Sequence, residues 1–185
     1  MARAEVAPDR TKLAQRAEEI STIVGQVQTL NRDLLNRLRP HALGQVPLPD
    51  CLVLLLRDFT RRHSGTGFTG TFDGLGPGYG DVTDLTVFRC IQESMTNAVR
   101  HGRAVQVTVE ACEEAGGRLM ITVRDDGGGI APDHRVGLGL SGMRERVGAL
   151  GGTLVLDNGS PGTVVRIMIP FGSERSEDTS AIPDA

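Results

Sequence analysis

A chain of 185 residues that is 39% apolar, with five Phe, one Tyr and no Trp, can close one core of ordinary size and has little left to close a second. One domain with an appendage is therefore expected. The formal net charge of −3 argues against a nucleic-acid binder, whose affinity rests on clustered Lys and Arg, so no direct nucleic-acid contact is expected. The longest strongly apolar run, residues 51–56, is too short to span a bilayer, and the charged N-terminus does not suit a signal peptide. The segment reads as cytoplasmic. Cys51, Cys90 and Cys112 form no C-x-x-C pair and read as reduced core residues.

Residues 9–38 contain no Pro, and Ile20, Val24, Val27, Leu34 and Leu38 recur in steps of four and three, with Asn31 in the remaining seat. This heptad seam with one polar position predicts a long helix and a homodimer contact through residues 20–38. An amphipathic helix lying on its own domain is the alternative, and Ile23, Leu30 and Leu35 widen the stripe toward that of a helical bundle. Arg39-Pro40 ends the helix. A second helix is expected after Pro49, with Leu52, Leu55, Leu56 and Phe59 on one face, stopping near Ser64-Gly65. Residues 9–65 thus form a helical segment.

Residues 66–72 mix Phe and Thr as a short strand does, and residues 73–80 are a glycine-rich loop. A helix over 82–101 carries Leu85, Phe88, Ile91 and Met95 at helical spacing. Residues 105–110 alternate apolar with polar, as do Leu119, Ile121 and Val123, with Gly116-Gly117 as the hairpin turn between them. A third helix is predicted over 139–150, followed by strands at 153–157 and 163–169. The fold class is α+β, a sandwich with helices on one face of a mixed sheet spanning residues 66–171. Residues 172–185 have little to bury and read as a disordered tail.

On an α-helix, which turns about 100° per residue, Glu93, Asn97, Arg100 and His101 fall on one face. The neutral oxygen of Asn97 suits Mg²⁺, which takes few protein oxygens. Glu93 is placed to act as general base or to hold a metal-bound water, and Arg100 and His101 to reach phosphate or ribose. Solvated positions on an amphipathic helix are the plain alternative. Asp125 ends a strand before Gly127, Gly128 and Gly129, where a carboxylate can accept from an exocyclic amine and so select adenine; an ordinary Asp-Gly turn is the other reading. Gly127 and Gly129 permit close backbone approach. Gly137, Leu138, Gly139 and Leu140 lead into the third helix, whose first amides would face phosphates. Residues 130–136 read as a short lid in which His134 and Arg135 either touch phosphate or are solvated. Thr163 supports the base through its hydroxyl or is an ordinary strand residue. Together these groups describe a pocket for Mg²⁺ and a nucleoside triphosphate.

The ordered blocks Gln92-Glu93-x-x-x-Asn97-x-x-x-His101-x-x-Ala104, Asp125-Asp126-Gly127-x-Gly129, Gly137-Leu138-Gly139-Leu140-x-Gly142-Met143-Arg144-Glu145-Arg146 and Gly162-Thr163 resemble the GHKL, or Bergerat-fold, ATPases. They look most like the sensor histidine kinases of the nitrate/nitrite, hexose-phosphate and DesK type, which signal to LuxR/NarL-type response regulators. The resemblance covers roughly residues 85–170, and Leu38-Arg39-Pro40 resembles the close of that subfamily's second bundle helix.

The resemblance implies that Asn97 binds Mg²⁺, Asp125 binds the adenine amino group, the glycine loops hold the phosphates of ATP and Thr163 assists at the base. It implies transfer of the γ-phosphoryl of ATP to a histidine on the first bundle helix, then to an aspartate of the regulator, by positioning and electrostatics. The chain departs from the pattern in one respect: no histidine precedes His41, which follows Pro40, and His63 ends the next helix. The expectation is a catalytic domain that phosphorylates a histidine absent from this chain, without autophosphorylation by the chain alone. An anti-sigma-factor-type serine kinase and a non-catalytic nucleotide-binding dimerisation module remain the alternatives.

Overall fold

The computed structural model describes residues 16, 43–130 and 137–172. The seam helix with its homodimer contact at 20–38, His41, the lid residues 131–136 with His134 and Arg135, and the tail from 173 lie outside the described residues. The chain divides into two units, Met1–Pro40 and His41–Ala185, and the account below concerns the second.

Helix α1 (Leu48–Arg62) starts before Pro49 rather than after it, because a proline in the first turn lacks only an N–H that has no helical acceptor there. The N–H of Leu48 is instead satisfied by the carbonyl of Pro77 at 2.8 Å. Its buried face, Leu48, Cys51, Leu52, Leu55, Leu56 and Phe59, joins the same core as the sheet. Helix α1 and the sheet therefore lie in the one unit that begins at His41.

Strand β1 (Gly67–Thr71) leads through a loop to helix α2 (Asp81–Asn97), which runs on into a single π turn at Ala98–Gly102. Strands β2 (Gln106–Glu114) and β3 (Arg118–Asp125), helix α3 (Leu138–Ala149), and strands β4 (Thr153–Asn158) and β5 (Thr163–Pro170) complete the order. The sheet runs β1-β2-β3-β5-β4, with β1 parallel to β2 and the other neighbours antiparallel. At the β2–β3 turn Gly116 and Gly117 take φ values of 87° and 69°, which side chains resist.

Alternation makes the sheet one-sided. Val107, Val109 and Ala111 of β2, Leu119, Ile121 and Val123 of β3, and Val165, Ile167 and Ile169 of β5 are buried. Ile91 and Met95 of α2 and Met143 and Val147 of α3 fill the layer with them. By the same parity Cys112 stands on the open face and is exposed, so only Cys51 and Cys90 are core thiols. Burial pushes the Cys90 thiol up to about 11, with the nearby Arg146 charge opposing that rise.

Candidate functional site

The two acids that end β3 do different work. Asp126 points away from the core, where its Oδ1 accepts the N–H groups of Val105 and Gln106, each at 2.8 Å. The Gln106 bond foremost, opposed by slight desolvation and helped by the Val105 bond, holds this carboxyl below its ordinary range. Asp126 is thus a clamp that fixes where β2 begins.

Asp125 shares the buried parity of Val123 and is only 8% exposed. Its Oδ1 accepts the N–H of Gly127 at 2.9 Å and that of Thr163 at 3.2 Å. Its Oδ2 is bonded by none of the described residues. Two backbone donors thus fix one oxygen of this side chain and leave the other to meet an incoming donor.

Two glycines make this seat possible. A side chain on Gly127 would collide with the carbonyl of Gly102, which accepts the N–H of Gly128 at 2.9 Å. A side chain on Gly162, already at φ 82°, would strike the carbonyl of Asp125. The π turn therefore packs directly against the glycine loop. Gly102 lies so close that a Cβ on it would sit 3.3 Å from Asp125 Oδ1.

Glu93 and Asn97 lie one turn apart on α2, both half-buried. Arg100 and His101 belong to the π turn instead, so the α-helical spacing that grouped all four holds only for the first pair. Both are exposed, and neither makes a hydrogen bond or ion pair among the described residues. The turn ends at Arg103, a non-glycine residue at φ 52°, as the N–H of Ala104 returns to the carbonyl of Ala98 at 3.1 Å.

The Glu93 carboxylate occupies the space that a side chain on Gly139 would fill, so α2 and the first turn of α3 meet there. The first helical bond of α3 runs from the N–H of Ser141 to the carbonyl of Gly137 at 3.1 Å. The amides of Leu138, Gly139 and Leu140 consequently have no acceptor within the helix. Leu140 is buried and anchors this turn, while Leu138 is 69% exposed. Gly129, at φ 72°, and Ile130 rest on Asn158, whose Oδ1 accepts the N–H of Ile130 at 2.6 Å.

Thus Asp125, Gly127, Gly162, Thr163 and Gly102 gather at one point, Glu93 and Gly139 at a second, and Gly129 with Asn158 at a third. Sequence reasoning missed the parts played by Gly102, Asp126 and Asn158, whose partners lie 20 or more residues away along the chain.

A two-layer sandwich with a buried acid at a strand end, glycine loops around it and a glycine-led helix is an arrangement suited to holding a nucleotide. Residues 82–173 match the family of histidine kinase-, DNA gyrase B- and HSP90-like ATPases, and this part of the chain belongs to that family. It is 34% identical over 166 residues to the signal transduction histidine-protein kinase/phosphatase UhpB of Salmonella typhimurium, covering 89% of this chain and 33% of that one. The sensor histidine kinase YvfT of Bacillus subtilis is 28% identical over 164 residues, covering 89% and 41%. The histidine kinase domain of a blue-light activated kinase from Erythrobacter litoralis superposes with a TM-score of 0.60 at 26% identity, covering 68% of this chain and 61% of that one. The chain spans about one third of the length of UhpB. No helix among the described residues is long and apolar enough to cross a membrane.

Proposed function

We propose that this chain binds Mg-ATP and donates its γ-phosphoryl to a histidine on a separate bundle helix, for onward transfer to a response regulator of the LuxR/NarL type. The observation that carries the reading is the seat of Asp125, a buried carboxylate with Oδ1 bound by two backbone amides and Oδ2 left for the adenine amine. Gly127, Gly129 and Thr163 line the base, and the amides of Gly137, Leu138, Gly139 and Leu140 hold phosphate oxygens at the start of α3. Arg100 and His101 meet the phosphates or ribose from the π turn.

Oxygen donors on α2 fit the metal: Asn97 offers a neutral amide oxygen and Glu93 a carboxylate one turn earlier, a set suited to a hard ion that keeps most of its waters. Bound there, Mg²⁺ would neutralise charge on the transferring phosphoryl group. Glu93 takes the proton role or holds a metal water. Residues 20–38 pair two copies, and the domain works in the cytoplasm of a protein whose membrane contact lies in other segments.

Incubating the chain with labelled ATP and a histidine-bearing bundle helix tests the reading. Acid-labile phosphate on the helix supports it. Acid-stable phosphate points to serine transfer, and ATP binding without transfer points to a non-catalytic module.

A further inference from the structure

Asn158 lies at the end of β4, outside every motif named above. In register it pairs with Thr163, whose N–H is held by Asp125. Its side-chain carbonyl crosses to the other wall and accepts the N–H of Ile130 at 2.6 Å. A Cβ built on Gly129 would lie 2.9 Å from the same oxygen and 3.3 Å from the carbonyl of Gly162. The residues that follow Asn158 close on themselves, with the N–H of Gly159 donating to Gly162 at 2.7 Å. One amide therefore ties the turn that delivers Thr163 to the end of the glycine loop that leaves Asp125.

We propose that Asn158 is a positioning residue for the nucleotide, setting the gap between the Asp125–Thr163 wall and the Gly129–Ile130 wall. It touches no reacting atom. Its acceptor removes the freedom of Ile130 before ATP arrives, so that ordering is not charged against binding. The inference rests on the reading of this site as an ATP pocket.

The test uses the full chain with N158A and N158D, titrated calorimetrically with ATP, while hydrogen exchange follows the Ile130 amide in nucleotide-free protein. Asp keeps the acceptor and Ala removes it. N158A should weaken ATP about 5-fold, the worth of one ordinary hydrogen bond, and release Ile130 protection. N158D should restore the protection and most of the affinity, with similar melting temperatures for all three proteins. Equal ATP affinity in N158A and wild type overturns the proposal, as does N158D behaving like N158A. Should wild type bind no ATP, the nucleotide reading and the positioning role both fall, while Ile130 protection still reports whether Asn158 braces the loop.

Discussion

The N–H of Thr163 donates to Oδ1 of Asp125 across 3.2 Å, joining the first residue of β5 to the last of β3. That bond, with the one from Gly127, orients the carboxylate and leaves its other oxygen without a hydrogen bond from any described residue. Replacing Asp125 with Asn should keep an acceptor for Gly127 and Thr163 while presenting an amide donor to the adenine amine. ATP affinity is expected to fall about 10- to 100-fold with little change in melting temperature, and calorimetry with ATP decides. Undiminished binding would place the base elsewhere.

Gly139→Ala introduces a methyl group where the Glu93 carboxylate now lies. The obstacle is the far end of a flexible chain, so Glu93 should swing aside and the fold persist. Turnover should then drop as it does in Glu93→Gln, and the double variant should lose nothing further. Additive losses in a double-mutant cycle would separate the two residues.

Gly127→Ala meets backbone, the carbonyl and Cα of Gly102, which cannot move without opening the π turn. Destabilisation of about 1–3 kcal/mol is expected, the ordinary cost of overpacking. Gly148→Ala, inside α3 with open space around it, should instead stabilise by about 0.5–1 kcal/mol. Urea melts of the pair measure both signs.

Asp126 has a folded-state pKa below its unfolded value, because the Gln106 amide foremost, then that of Val105, favours the carboxylate. Its contribution is present above the unfolded pKa of about 3.9 and is lost as pH falls through the lower folded value. Asp126→Asn keeps an acceptor but no titration, so its stability should decline less steeply as pH falls below about 4. An identical acid limb in the variant would refute the clamp.

A thiol reagent applied to the native chain should modify Cys112 at once and spare Cys51 and Cys90, both of which have raised pKa values from burial foremost. Mass spectrometry should find one adduct before denaturation and three after. Fast labelling of Cys90 would mean that α2 and α3 separate readily.

The sheet was legible because it is covered on one side: the alternation of Val107, Val109 and Ala111 is a direct print of that burial. The same parity places Cys112 outside, a conclusion available from the pattern and overlooked by reading cysteine as intrinsically buried. The helix expected after Pro49 takes that proline into its first turn, which spares a missing donor. The five residues of the π turn carry no periodic mark of their own, so Arg100 and His101 were assigned α-helical angles. Asp125 and its glycines announced themselves by composition. Asn158 did not, because its meaning lies in Ile130, 28 residues earlier.

The parallel pairing of β1 with β2 also bears on how the domain assembles. Thr69 and Thr108 are 39 residues apart, whereas β2 and β3 meet across a short turn. Closing the longer loop costs more chain entropy and waits on α2, so the hairpin forms early and β1 docks late. Amides along the α1–β1 margin should accordingly exchange by partial opening, ahead of those buried in β3 and β5.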